Sequence, residues 1–248
     1  MYIDCFSGIS GDMFLGAMVD MGVPLEVLSQ GLDALGLPEL KITAEKVTRN
    51  GIAATKVDVV VPDTTEERHL SEIVGIIDGS GLPPDVRKLS RAIFRRLAAA
   101  ESRVHGIPVE QVHFHEVGAL DTIADVVGAA ICLREACIEE VYASPVNVGS
   151  GFVRSAHGLL PVPAPATLEI LSGLPVYSTG VPAELATPTG AAILAEACKG
   201  FGPLPRMRVE KTGYGAGTKE LETPNLLRVI AGEQLEPRPH RHKGHHGH

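Results

Sequence analysis

The chain has no tryptophan, only six phenylalanines and four tyrosines, so aromatic residues make up 4% of its 248 positions. Flat platforms that stack on the bases of single-stranded nucleic acid are therefore scarce, and Leu, Val, Ile and Ala must fill the core. Basic charge is scarce too: 22 Lys and Arg stand against 30 Asp and Glu, a formal net charge of -8. That is the wrong sign for a protein that works by neutralising a phosphate backbone, so nucleic acid is not an expected partner. The longest apolar run, Val126 to Leu133, is fenced by Asp125 and Arg134. It falls far short of the ~20 residues that a membrane span requires, and no membrane partner is expected. The basic start and apolar stretch of a secretory signal are missing, because Asp4 and Asp12 come so early; the cytoplasm is the expected compartment. Cys5, Cys132, Cys137 and Cys198 show no CxxC spacing, which excludes a zinc knuckle or a disulfide scaffold and leaves reduced thiols.

What is present is a chain 44% hydrophobic with 27 Gly and 18 Pro, enough for a real core with many specified turns. Met1 to Phe6 reads as a strand, Ser7 to Asp12 as a tight loop, and Met13 to Met21 as a helix. A second helix follows from Pro24 to Leu35. Lys41 to Lys46 and Thr55 to Val61 alternate around Asn50-Gly51, the strongest short-range hairpin signal. After a loop from Asp63 to Arg68, helices are expected over His69 to Asp78, Pro84 to His105 and, after an extended Val112 to Glu116, Ala119 to Cys137. Glu140 to Val148 and Phe152 to Ser155 read as a second hairpin around Gly149-Ser150-Gly151. Pro161 to Pro165 reads as a stiff lead into a short helix over Ala166 to Leu171. Thr187-Pro188 starts a helix through Lys199, and Met207 to Gly213 and Asn225 to Ala231 are late strands flanking a Gly-rich run.

The expected fold class is α/β, a layered domain with a mixed sheet and two hairpins, with α+β as the alternative. Residues 1–231 form one large or two small subdomains, and 232–248 a disordered His-rich tail or linker.

Three groups of residues could carry chemistry. At the first strand-to-helix junction, Ser7, Gly8, Ser10, Gly11 and Asp12 would form either an anion cradle or an ordinary turn capped by Ser10. No Gly-Lys-Ser/Thr triplet occurs, so this is not a nucleoside triphosphate loop. Asp4 and Asp12 beside it would suit a divalent cation bridging protein and phosphate. In the second group, an extended His113-Phe114-His115-Glu116 turns both imidazoles to one side and Phe114 to the core, with Asp121 and Asp125 one helical turn apart nearby. Two half-exposed histidines near a helix cap is the competing interpretation. The third group comprises His157, Thr187-Pro188-Thr189-Gly190 and Gly213 to Thr218. Each can present backbone donors to an anion or serve as a lone histidine, a cap and a bulged hairpin. The tail adds His240, His242, His245, His246 and His248, imidazoles on a chain suited to collecting nickel, copper or zinc; an affinity tag is the alternative.

Together these segments resemble the nickel-insertion proteins of the lactate racemase cofactor pathway, the LarC type. The resemblance rests on Asp4 to Met13, His113 to Gly118 with Asp121, Asn147 to Gly151, Ala156 to Thr167, Thr187 to Ala192 and Gly213 to Thr218. It implies a nickel chelatase, a lyase of cofactor biosynthesis. Such an enzyme inserts nickel into pyridinium-3,5-bisthiocarboxylic acid mononucleotide, consumes cytidine triphosphate, and supplies lactate racemase downstream. It also implies a C-terminal CTP-binding domain, either encoded as a separate chain or cut away from this one, with Mg or Mn accompanying the nucleotide.

On that resemblance His113, His115 and Glu116 supply nickel ligands and a base, with Asp121 beside them, and Asp4 joins the metal ligands. Ser7 to Asp12 and Thr187, Thr189 and Gly190 hold the substrate. Two other classes stay open on the residues alone: a nickel store using mainly the His tail, and a metal-dependent phosphate-ester hydrolase using Asp4, Asp12 and His113.

Overall fold

Asn50 and Gly51 both take positive φ, 49° and 82°, the pairing a two-residue hairpin turn requires, and the strands on either side zip from Arg49↔Ile52 out to Lys41↔Val60. That hairpin forms one edge of the sheet in a computed structural model that describes residues 1–61, 68–114, 120–155 and 158–235. In chain order the first elements are β1 (Tyr2–Asp4), α1 (Gly11–Met21), α2 (Leu25–Asp33), β2 (Lys41–Arg49), β3 (Ile52–Val60), β4 (Arg68–His69) and α3 (Leu70–Gly79). There follow α4 (Pro84–His105), β5 (His113–Phe114), α5 (Leu120–Glu135), β6 (Val141–Ala143), β7 (Val146–Asn147), β8 (Phe152–Ser155) and β9 (Gly158–Pro161). The last are α6 (Pro165–Ile170), β10 (Val176–Tyr177), α7 (Pro188–Ala197), β11 (Cys198–Phe201), β12 (Met207–Ala216) and β13 (Leu226–Gln234).

The main sheet has seven strands in the order β11-β6-β1-β13-β12-β3-β2. β11, β6 and β1 run parallel, β13 is antiparallel to both β1 and β12, and β12 meets β3 in parallel at Gly215↔Thr55. The fold is thus α/β with a mixed sheet. Helix α1 lies across β12 and β3, α5 packs on α1, and α4 packs on α5, α6 and α7. This layering explains why α5 is apolar nearly all round: Ile123, Ala124, Val126, Val127 and Ile131 are all buried between neighbouring helices. No helix among the described residues is long and apolar enough to cross a membrane.

Several expectations need correction. Phe152–Ser155 does not pair with the strand before Gly149; it pairs with β9, from Phe152↔Pro161 to Ser155↔Gly158. Its expected partner is split, β6 pairing with β1 and β7 with β10. A long-range parallel partner won over the nearby antiparallel one, which glycine turns alone cannot reveal. The segment from Gly158 is consequently a strand up to Pro161, and only Val162 to Ala164 form the lead into α6.

Helix α7 stops at Ala197, because Cys198 turns extended and joins β6 as the edge strand β11. The strand that begins at Met207 does not stop at Gly213 either; Tyr214 to Ala216 extend it to complete β12. There a Cβ on Gly213 would lie 2.1 Å from the Ala17 carbonyl oxygen, and one on Gly215 would lie 1.8 Å from that of Met13. These glycines let α1 sit directly on the strand. The expected loop over Asp63 to Arg68 lies outside the described residues except for Arg68, which pairs in β4. β13 continues to Gln234, and the remaining tail lies outside the described residues.

Candidate functional site

The loop between β1 and α1 is fixed by its own backbone. The Gly8 N–H donates to the Cys5 carbonyl at 3.0 Å, the Ile9 N–H to the Leu185 carbonyl at 2.9 Å, and the Thr187 N–H to the Ile9 carbonyl at 3.0 Å. These bonds stitch the start of α1 to the start of α7. The fit is close: a Cβ on Gly190 would lie 2.4 Å from the Ile9 carbonyl oxygen. Thr187 caps α7 by accepting the Gly190 N–H on its hydroxyl at 3.3 Å. Ser10, at the N-cap of α1, instead donates its hydroxyl to Asp12 Oδ1. Since Gly8 and Ile9 have spent their N–H groups, the donors left to a ligand are those of the first turn, Gly11 to Met13, which have no partner inside the helix.

The start of α5 comes to the same place. A cleft of about 360 Å³ is lined by Ser10, Gly11 and Asp12 from α1, Asp121, Thr122 and Asp125 from α5, Thr187, Pro188 and Thr189 from α7, and Val57 to Val59 from β3. Helix N-termini carry partial positive charge, so this opening favours an anion or the carboxylates already there. Asp121 stands at the exposed mouth and accepts the Thr122 N–H at 2.7 Å; partial burial nevertheless raises its pKa. Asp125 lies deeper. Burial pushes its carboxyl well above the usual range, the Asp12 and Asp121 carboxylates push the same way, and Lys56 opposes them. Asp125 Oδ1 is shut off from solvent and has no hydrogen-bond partner among the described residues. Gly11 makes room for it, since a Cβ there would lie 2.2 Å from Asp125 Oδ2.

Behind the cleft wall stands a buried lysine that sequence reasoning missed. Lys56 Nζ lies 2.6 Å from Asp58 and 3.6 Å from Asp12, and its side chain is 9% exposed. The signal was available, since Lys56 and Asp58 share one face of β3 at strand period. It was hidden by the ordinary habit of placing charges on the outer face of a hairpin.

The structure thus brings Ser10, Gly11, Asp12, Asp121, Thr187 and Thr189 together, with Gly190 directly behind. Ser7 and Gly8 are buried, and the backbone of Leu185 fills the space where a Gly8 side chain would lie. Asp4 is not among the cleft residues; its Oδ2 accepts from Arg228 Nε at 3.1 Å and Nη2 at 2.5 Å. His113 opens β5 opposite His69. Phe114 is 2% exposed and meets Phe94 edge-on at 6.4 Å, as the extended reading requires. His115, Glu116, His157 and the tail histidines His240, His242, His245, His246 and His248 lie outside the described residues. Among the described residues no three His, Cys, Asp or Glu side chains gather as a ready-made metal cage.

Comparison with known proteins adds an independent observation. The family described as nickel insertion protein matches residues 1–245. A Desulfitobacterium hafniense protein named pyridinium-3,5-bisthiocarboxylic acid mononucleotide nickel insertion protein is 55% identical over 232 residues, covering 94% of this chain and 58% of its own length. A Geobacillus kaustophilus protein of the same name is 49% identical, with 94% of this chain and 60% of its own length covered. A Dictyoglomus thermophilum protein named putative nickel insertion protein is 48% identical, with 95% and 61% covered. The chain therefore spans about three fifths of the length of the curated relatives it matches. No solved structure matches it.

Proposed function

The chain belongs to the nickel insertion protein family, and from that premise we propose that it acts as a nickel chelatase on pyridinium-3,5-bisthiocarboxylic acid mononucleotide, the compound in its relatives' names. The observation that supports this reading in the geometry is the meeting of the starts of α1, α5 and α7 on one cleft. First-turn N–H groups and the Thr187 and Thr189 region suit the substrate phosphate, and Ser10, Gly11, Asp12 and Gly190 shape its seat. Ser7 and Gly8 support that seat from beneath.

Nickel is the substrate metal. Forming a nickel–carbon bond on the pyridinium ring uses the electron pair of a ring C–H bond and releases its proton to a base. Asp121 at the cleft mouth and Glu116 are the acceptors in this reading, while His113 and His115 supply imidazole nitrogens that suit nickel. The histidines of the tail, His240 to His248, gather the ion. Asp4, held by Arg228, is left out of the nickel set. Consumption of cytidine triphosphate with Mg²⁺ or Mn²⁺ on a further domain, and delivery of the product to lactate racemase, complete the proposal.

The test incubates the chain with nickel and the metal-free mononucleotide, with and without cytidine triphosphate, and with the remaining part of the Desulfitobacterium hafniense relative added as a separate chain. Nickel-loaded mononucleotide, read by mass, is expected with the wild type and strongly reduced with Asp121→Asn. No product in any combination overturns the proposal.

A further inference from the structure

The cleft at the three helix starts holds a conflict of charge. Asp12, Asp58, Asp121 and Asp125 stand in or beside it, against one ammonium among the described residues, that of Lys56. Lys56 is committed first to Asp58 at 2.6 Å and reaches Asp12 only at 3.6 Å. A bare phosphate entering here would meet repulsion from carboxylates. Asp125 adds a second, independent sign of something missing. Its Oδ1 is closed off from solvent without a hydrogen-bond partner among the described residues, a state that buried oxygens seldom keep unless an ion or water completes them. Its position is built, because the start of α1 carries no side chain at Gly11 and the Asp125 carboxyl fills that space.

We propose that Asp12 and Asp125 bind a hard divalent cation, Mg²⁺ or Mn²⁺, at the floor of this cleft, and that the cation bridges the chain to the phosphate of a mononucleotide. The donor set selects the metal class. Among the described residues that line the cleft none is His or Cys, and oxygen ligands of this kind suit Mg²⁺ and Mn²⁺ rather than softer ions. Such cations are commonly held by one or two carboxylates, with water and phosphate oxygens filling the other positions. Two carboxylates in an open cleft therefore suffice, although no three-residue cage exists among the described residues. Asp4, expected from the sequence to join Asp12 at a bridging cation, is excluded from this role by its bond to Arg228. The cation turns an acidic cleft into one that accepts phosphate, and the helix starts then contribute in the same direction. Only the identity of the bridged phosphate rests on the proposed nickel insertion; the cation site does not.

The test uses the full chain and Mn²⁺ alone, followed by electron paramagnetic resonance titration, with Mg²⁺ as competitor. Wild type should bind Mn²⁺ saturably and release it to Mg²⁺. Asp125→Asn should bind one Mn²⁺ fewer per chain, or bind it at least tenfold more weakly. Its metal-free Tm should be at or above that of wild type, because the charge on a carboxylate with one closed-off, unpartnered oxygen has been removed. Asp12→Asn, changed at a partly exposed position, should show the same loss and serves if Asp125→Asn does not fold. Asp85→Asn, an exposed carboxylate paired with Arg134, should bind as wild type. Absence of a saturable ion that Mg²⁺ displaces, or unchanged Mn²⁺ binding in both cleft variants, overturns the inference. Mn²⁺ binding without nickel insertion would instead overturn the proposed function and leave this site standing.

Discussion

Gly215→Ala and Gly75→Ala make the same chemical change with opposite expected signs. At Gly215 in β12, an added Cβ would lie 1.8 Å from the Met13 carbonyl oxygen and 2.5 Å from the Ala17 backbone nitrogen. Both atoms belong to the backbone of α1, so no side-chain rotation relieves the overlap. Restoring van der Waals distance moves the helix off the strand by roughly 1.5 Å, which a close-packed interior does not absorb without loss. The same helix carries Phe14, Leu15, Ala17 and Met18, all at 0% exposure, and each loses contacts as the layer opens. Overpacking costs about 1–3 kcal/mol and at times more; with backbone on both sides, the upper end, about 3 kcal/mol, is expected. For a chain of this size that is a Tm lower by about 6–12 °C. Gly75 in α3 is exposed with nothing within 4 Å of its Cβ position, so alanine there should raise stability by about 0.5–1 kcal/mol. Urea unfolding of both variants at neutral pH measures the pair. A Gly215→Ala chain as stable as wild type would refute the reasoning, because the helix would then have room that the structure denies it.

Two further outcomes are expected. Phe114→Ala, which removes a ring 2% exposed and packed edge-on against Phe94, should cost about 3–5 kcal/mol in urea unfolding; a loss under about 1 kcal/mol would mean that the ring does not anchor the segment leading to His115. Asp20 is pushed up by burial, but bonds from Lys46, the Tyr214 N–H and Thr55 outweigh it and hold its carboxyl below the usual value. Its stabilising effect is therefore present above the unfolded pKa and lost as pH falls through the folded one. Asp20→Asn should cost about 1–3 kcal/mol at neutral pH, shrinking below about pH 4; a difference independent of pH would refute the assignment.

How far the sequence could be read depended on the range of the forces involved. The Asn50-Gly51 hairpin was legible because a turn demanding positive φ twice is specified by two adjacent residues. The strand, loop and helix over the first residues were legible for a similar reason, and so was Phe114, whose burial follows from strand alternation. The edge strand Cys198–Phe201 was not, because its extended form depends on β6, a partner far away in the chain. Gly213 was legible as a strand end, whereas Gly215 read as part of a glycine-rich connection, since its reason for being glycine is the helix lying over it. In the site, the loop at Ser7 to Asp12 and the cap at Thr187 were visible as local patterns. Asp125 and Lys56 acquire their meaning only once α5 and β3 are packed against the start of α1.

The scarcity of aromatic residues and the use of glycine at α1 belong to one arrangement. The core has no tryptophan, and glycines under α1 at Gly213 and Gly215 bring the helix down onto the sheet at backbone distance. That close approach sets where the helix begins, and so where Asp12 and the unpaired first-turn N–H groups stand relative to α5 and α7. Gly11 then admits the Asp125 carboxyl into the space left at the helix start, while Gly190 seats α7 on the Ile9 carbonyl. Chemistry is therefore positioned by backbone contacts rather than by large side chains. A buried carboxyl with an unpartnered oxygen is unfavourable for folding, and its place in the cleft shared by three helix starts connects that unfavourable feature to ligand binding rather than to packing.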